Sequence, residues 1–255
     1  IYRQILSIYS EYAGSASGLK LGDDSCKVIA FTSPCGGVGS STMAAACALH
    51  YAARGKRTLY LNFERFGSSD AFFAAEGQFD MSGIIFALKS KKTNLSMKME
   101  SCVKQDPRGV YLYSQSKVAL DMLELGADEI GRLISEARLS GNYEYVIADL
   151  EFGMDRASLQ ILRQAGAIVW TGDGSEISNR KLARAYQALA ILEQNAEVPL
   201  TARIALIYNK FSNKSGTAVT GTELRSIGGA PRYEHASTAQ VLEQLAPKEL
   251  FDKIQ

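Results

Sequence analysis

Short, almost wholly apolar runs alternate with amphipathic stretches along this chain. Cys26 to Thr32 (CKVIAFT) is the first such run, and it reads as a strand buried on both faces, as inside a parallel sheet. Arg57 to Phe63 (RTLYLNF), Val110 to Ser114, Tyr145 to Leu150 (YVIADL), Ala167 to Thr171 and Ile204 to Tyr208 repeat the pattern. Helical spacing separates them, predicting helices over Ala127 to Ser140, near Arg156 to Gln164, and from Glu176 to about Gln194. The first helix carries Ala44, Ala45, Ala46, Ala48, Ala52 and Ala53, small side chains that let it lie close to a sheet. Phe66 to Lys104 is mostly helical by pattern, with poorly marked ends. A short extended piece near Ala230 to Tyr233 follows, then helices around Thr238 to Leu245 and Glu249 to Ile254. Such alternation predicts an α/β fold, a mostly parallel central sheet with helices on both faces.

Ahead of the first strand, Ile1, Ile5, Ile8, Tyr9 and Tyr12 recur at helical spacing, and Gly14 to Gly22 is rich in Gly and Ser. Residues 1–25 are thus expected to be a leading helix and linker, and 26–255 one domain without internal repeats. The chain of 255 residues is 46% hydrophobic and 22% charged, ordinary for a globular protein. Its 28 basic and 27 acidic residues leave a net charge of +1, which supplies no global attraction for nucleic acid or anionic lipid. A local basic patch stays open. No apolar run reaches the ~18–20 residues of a membrane span, and no signal peptide pattern is present. Cys26, Cys35, Cys47 and Cys102 form no CxxC pair, so reduced thiols in a cytoplasmic protein are expected. His50 and His235 are too scattered for a zinc site, and His50 lies in an apolar helix pattern that suits a packed residue.

The chemistry concentrates after the first strand, at Ser33-Pro34-Cys35-Gly36-Gly37-Val38-Gly39-Ser40-Ser41-Thr42. The stretch has the frame of a phosphate-binding loop, a Gly-rich turn followed by lysine and Ser or Thr, but Ser40 fills the lysine slot. Gly36, Gly37 and Gly39 can take backbone angles that aim N–H groups at phosphate oxygens. A helix starting near Ser40 would point its positive end at the same spot. Ser41 is then the candidate Mg²⁺ ligand, and Thr42 can reach a phosphate oxygen. The loop alone leaves open an empty tight turn between strand and helix.

Other residues fall at carboxyl ends of predicted strands, where ligands of open α/β sheets bind. Asp149 closes YVIADL, the place of a Mg²⁺-side carboxylate. Gly153 follows, suited to a loop that senses a γ-phosphate through its N–H. The second strand ends Asn62-Phe63-Glu64, and the last ends near Asn209-Lys210, placed for an amide that reads a base. Each alone is weak; together, in chain order, they favour a nucleotide site.

On these residues the chain resembles the MinD/ParA superfamily of deviant Walker P-loop ATPases, and within it TadZ/CpaE-type pilus assembly proteins. Cys35 to Thr42 aligns in frame with that family's Lys-Gly-Gly-x-Gly-Lys-Ser/Thr-Thr loop. The resemblance implies ATP and Mg²⁺ as cofactors, with Ser41 and Asp149 at the metal and Glu64 and Asp149 at the catalytic centre. It implies nucleotide contacts from Cys35, Gly36, Gly37, Val38, Gly39, Ser40, Ser41, Thr42, Asn62, Gly153, Glu176, Asn209, Lys210 and Pro231. Asn209 corresponds to adenine recognition, the Gly229-Ala230-Pro231 loop lies beside the base, and Glu176 faces a partner subunit's nucleotide. It further implies a homodimer closed around ATP, working with pilus or secretion machinery in the cytoplasm, at the cell pole or inner face of the membrane. TadZ-like proteins usually carry a receiver-like domain upstream, and a chain opening on Ile1 fits its removal.

The departures are as informative. Cys35 replaces the lysine that in relatives crosses the dimer, Ser40 replaces the loop lysine, and Asn62 and Glu64 replace paired aspartates. A lysine–phosphate contact contributes roughly 1.5–3 kcal/mol, so its loss weakens binding by about one to two decades. Hydrolysis is more exposed, because cationic charge on the transferring group is worth on the order of 10³–10⁵ in rate. Arg65 and Lys181 are conceivable substitutes, although solvation at the surface suits both. The expectation is ATP binding with very slow hydrolysis. The alternative is a nucleotide-free pseudo-ATPase scaffold that mediates protein–protein contacts. An active P-loop enzyme, an iron-protein reductase or small-molecule kinase, ranks last, since no cysteine follows the mid-chain strands.

Overall fold

The computed structural model describes Tyr2, Gln4, Ile5 and Ile8 and residues 26–74, 77–90, 94–194 and 199–254. The four leading residues are helical; the rest of the leading helix and the expected linker lie outside the described residues. The strands are β1 (Lys27–Thr32), β2 (Thr58–Asn62), β3 (Lys104–Gln105), β4 (Tyr111–Leu112), β5 (Tyr145–Asp149), β6 (Ala167–Gly172), β7 (Ile204–Phe211) and β8 (Arg225–Pro231). The α-helices are α1 (Ser40–Ala53), α2 (Met81–Lys89), α3 (Leu95–Cys102), α4 (Ala119–Met122), α5 (Ala127–Leu139), α6 (Arg156–Leu162), α7 (Glu176–Leu192) and α8 (Thr238–Leu245).

The sheet runs β3-β4-β2-β5-β1-β6-β7-β8 and is parallel throughout except for the β3–β4 edge. Its two faces are separate cores, because successive strand residues point to opposite sides. Val28, Ala30, Leu59, Leu61, Val146, Ala148, Ile168 and Trp170 pack under α2, α3, α5, α6 and α7. Ile29, Phe31, Tyr60, Ile147, Val169 and Ile207 face α1, α8 and the C-terminal 3₁₀ turn Glu249–Lys253. Helix α1 has no polar face: Met43 through Tyr51 are all buried, as expected of a helix enclosed on every side. Its outer side is covered by the C-terminal segment. His50, fully buried, bonds the Ala246 carbonyl and Asp252, each at 2.8 Å, and Tyr51 donates to the Phe251 carbonyl at 3.0 Å.

Strand β1 lies between β5 and β6, so the chain order reverses there and its carboxyl end opens a crevice. The register pairs Phe31 with Asp149 and Asn62 with Asp149, which brings the ends of β1, β5 and β2 level. Three elements depart from the sequence expectation, the first being the helix expected around Glu249 to Ile254, which is the 3₁₀ turn Glu249–Lys253. The predicted strand Val110 to Ser114 contracts to Tyr111–Leu112 and gains a two-residue antiparallel partner, β3, too short to show any periodicity. The last strand is Arg225–Pro231, earlier than the expected Ala230 to Tyr233; with Gly228 and Gly229 inside it and irregular pairing to β7, it lacks the apolar signature of its neighbours. Among the described residues no helix is long and apolar enough to cross a membrane.

Trp170, the single tryptophan, is 1% exposed and meets the Phe152 ring edge-on at 5.7 Å. Trp170→Ala is expected to cost about 3–5 kcal/mol, measured as a lowered denaturant midpoint by circular dichroism.

Candidate functional site

The turn between β1 and α1 is held from both sides. Ser33 donates to the Thr171 carbonyl on β6 at 2.6 Å and accepts the Cys35 N–H at 3.0 Å. At the end of β7, Asn209 Nδ2 donates to the Val38 carbonyl at 2.9 Å and Lys210 Nζ to the Gly37 carbonyl at 2.8 Å. A trans peptide sends its N–H opposite its C=O. Binding those two carbonyls on the β7 side therefore turns the Val38 and Gly39 N–H groups the other way, into the turn. Gly37 and Gly39 take φ of 75° and 86°, which side chains disfavour. A Cβ on Gly39 would also lie 2.5 Å from Asn209 Nδ2. Gly39 is the N-cap of α1, so free helix N–H groups and the positive helix end converge on the same place.

Two loop residues lack the cation that the resemblance led one to look for. Cys35 is buried, its thiol 3.4 Å from both the carbonyl and hydroxyl oxygens of Ser178 on α7. Ser40 presents a buried hydroxyl without a hydrogen-bond partner.

Beside the loop stands an oxygen-rich cluster. Ser41 Oγ donates to Glu64 Oε1 at 3.1 Å. Asn62 Nδ2 lies between two carboxylates, 3.4 Å from Glu64 Oε2 and 3.1 Å from Asp149 Oδ2, while Tyr60 donates to Asp149 Oδ2 at 2.8 Å. Asp149 is fully buried, and its Oδ1 has no hydrogen-bond partner. Burial, and then the negative Glu64, push its carboxyl up to about 7; the hydroxyls of Tyr60 and Ser41 and the Asn62 amide oppose that shift. A serine hydroxyl and carboxylate oxygens are hard donors that suit Mg²⁺, and the unpartnered Oδ1 is a free ligand position. The residues present fit that ion.

Around this centre the structure distributes the remaining predicted residues. Thr42, Asn209, Lys210 and Pro231 line a cleft of about 270 Å³ together with Arg232 and Tyr233. Gly153 follows β5, and a Cβ there would collide with the Ser158 hydroxyl. Glu176 opens α7 and pairs with Arg180 at 2.6 Å; it bonds none of the loop residues. Arg65 is engaged by Glu151, which accepts its backbone N–H at 2.9 Å and its guanidinium at 3.5 Å, so the loops after β2 and β5 are joined. Lys181 is exposed. Sequence reasoning missed Tyr60, Glu151, Arg232 and Tyr233. Tyr60 shares a strand face with Asn62 two residues on, a period-two signal that was available; the cleft pair follow β8, where the pattern is silent.

No protein-family model matches the chain, and no curated protein matches it by sequence. Solved structures do match. A ParA family ATPase from Chlorobium tepidum is 19% identical, with TM-score 0.68, covering 91% of this chain and 96% of that one. The Aquifex aeolicus cell division protein MinD is 18% identical, with TM-score 0.63, covering 87% and 95%. The septum site-determining protein MinD from Pyrococcus horikoshii, solved with Mg-ADP, is 14% identical, with TM-score 0.58, covering 89% and 96%. This chain has the ParA/MinD fold.

Two outcomes test the geometry within that ParA/MinD-like frame. Gly39→Ala is expected to destabilise the chain by at least about 1–2 kcal/mol, the cost of a left-handed alanine, plus displacement of Asn209, read as a lowered melting temperature. Asp149 carries a folded pKa above its unfolded value of 3.8, so the native state holds the extra proton and stability falls as pH rises from about 4 to 7. Metal-free Asp149→Asn should therefore melt higher than wild type at pH 8, on a scale of ~2–4 °C per kcal/mol, and lose that advantage near pH 4.

Proposed function

We propose that this protein binds ATP with Mg²⁺ in the manner of ParA and MinD proteins, hydrolyses it very slowly, and dimerises around it. The observation that supports this most is the loop itself: tied carbonyls, inward N–H groups and a helix N-terminus, beside Ser41, Glu64 and Asp149. The loop amides from residues 36–42 would hold the phosphates. Ser41 and Asp149 would hold Mg²⁺, which supplies positive charge to the triphosphate and orients it. Asn209 and Pro231 would flank the base in the cleft they line. Glu64 is the residue positioned to orient water. Gly153 and Glu176 belong to the same reading, as a switch-loop N–H and a partner-facing carboxylate. Support also comes from the Mg-ADP found with the Pyrococcus MinD.

Slow turnover follows from charge. With Ser40 and Cys35 in the loop and Arg65 paired to Glu151, the transferring phosphoryl group meets no side-chain cation from those positions, a deficit on the order of 10³–10⁵ in rate. The molecule then acts as an ATP-gated localisation or assembly factor, in a TadZ/CpaE-type pilus or secretion system, in the cytoplasm at a pole or the inner membrane face. Nucleic acid is not an expected partner. The buried Cys35 thiol and neutral Ser40 favour one other reading, a scaffold that binds no nucleotide.

Sedimentation with and without ATP-Mg²⁺ distinguishes the two. Dimer in the nucleotide sample supports the proposal, and unchanged monomer in both rejects it. Asp149→Ala should weaken ATP-Mg²⁺ by roughly tenfold or more, the effect of about 1.4 kcal/mol, in a calorimetric titration; no effect speaks for the scaffold.

A further inference from the structure

We infer that the opposite edge of the sheet, at the amino ends of β1 and β6, binds a small phosphate ester, a dianionic head on an apolar body. The place is a cavity of about 520 Å³, within the ~300–1,000 Å³ of small-molecule sites. It shares no residue with the glycine-rich turn or the acidic cluster. Lys27, Arg138, Arg163 and Arg203 bring four cations to its wall, and none of its described lining residues is Asp or Glu. Its floor is apolar, formed by Val28, Ala167 and Ile254. The chain's net charge of +1 conceals this local gathering.

The cations come from four separate elements. Lys27 opens β1, Arg138 lies in the last turn of α5, Arg163 is the C-cap of α6, and Arg203 ends the 3₁₀ turn before β7. Helix carboxyl ends favour the two middle ones, but a strand start gives no such reason for Lys27. Arg203 Nη1 donates to the Arg163 and Ala165 carbonyls at 3.2 and 3.0 Å. Those bonds take up carbonyls at the negative end of α6 and fix the guanidinium plane. Among the described residues no carboxylate hydrogen-bonds or ion-pairs with Lys27, Arg163 or Arg203. Like charges on one wall repel, and a dianion removes that repulsion. The field already reaches Cys26 in the same lining: burial pushes its thiol up to about 11, against the pull of Arg138 and Arg57. Guanidinium forks take phosphate oxygens two at a time, and a phosphate monoester carries about −1.5 to −2 at pH 7. The apolar floor calls for a body behind that head.

The test is titration of the ¹⁵N-labelled full chain with 1-naphthyl phosphate, followed by amide chemical shifts. Saturable shifts at Val28, Gly166 and Ala167 are the expected result. Inorganic phosphate and 1-naphthol, head without body and body without head, should each bind at least about tenfold more weakly. Lys27 and Arg163 are exposed, so Lys27→Gln with Arg163→Gln should keep the fold by circular dichroism and weaken the ester at least about tenfold. Arg163→Gln alone stands in should the double variant misfold. Four outcomes overturn the inference: no shifts into the millimolar range, shifts confined to Gly36 to Thr42, wild-type affinity in a folded variant, or naphthol binding as tightly as its phosphate. None of them touches the nucleotide reading, which is tested at the other end of the sheet.

Discussion

Two hydrogen bonds from the end of β7 govern the shape of the turn that everything else surrounds. Asn209 and Lys210 hold the carbonyls of Val38 and Gly37. A Gly-rich turn left to itself samples many conformations, and ordering each residue costs about 1–2 kcal/mol. Here that cost is met by neighbours contributed from a strand two positions away in the sheet. The outcome is a preorganised concavity of N–H groups, formed without a cationic side chain in the turn. Preorganisation of this kind is how main-chain dipoles compete with water for an anion.

The same sheet edge gathers the negative charge. Parallel register sets Asn62 opposite Asp149 and Asp149 opposite Phe31, so the ends of β2, β5 and β1 form one step. The turn itself carries no cationic side chain; Lys210 reaches it from β7 through the Gly37 carbonyl, and the Asn62 amide lies between the two carboxylates.

Much of this was legible in the residues. Strongly apolar runs such as CKVIAFT and YVIADL marked their strands because burial on both faces demands it, and the loop residues, Glu64, Asp149 and Asn209 all fall at or just beyond carboxyl ends of strands. What stayed hidden depends on partners far along the chain. Nothing near Cys35 says that its thiol turns onto Ser178, and nothing near Lys210 says that its ammonium reaches Gly37. The β8 strand escaped because RSIGGAP has too little apolar periodicity, and β3 because two residues carry no period at all. Buried helix α1 looked like a sheet-packed helix from its alanines, but its second covering, the C-terminal segment, required His50 and Asp252 to be seen together.

That second covering has a mechanical meaning. Helix α1 is 14 residues long, a stiff rod of about 21 Å whose first turn adjoins the glycine-rich turn and whose last turn grips the C-terminal segment through His50, Tyr51 and Arg54. The C-terminal segment and the glycine-rich turn thus sit at opposite ends of one rigid helix, anchored at one end by His50, Tyr51 and Arg54 and at the other by Asn209 and Lys210.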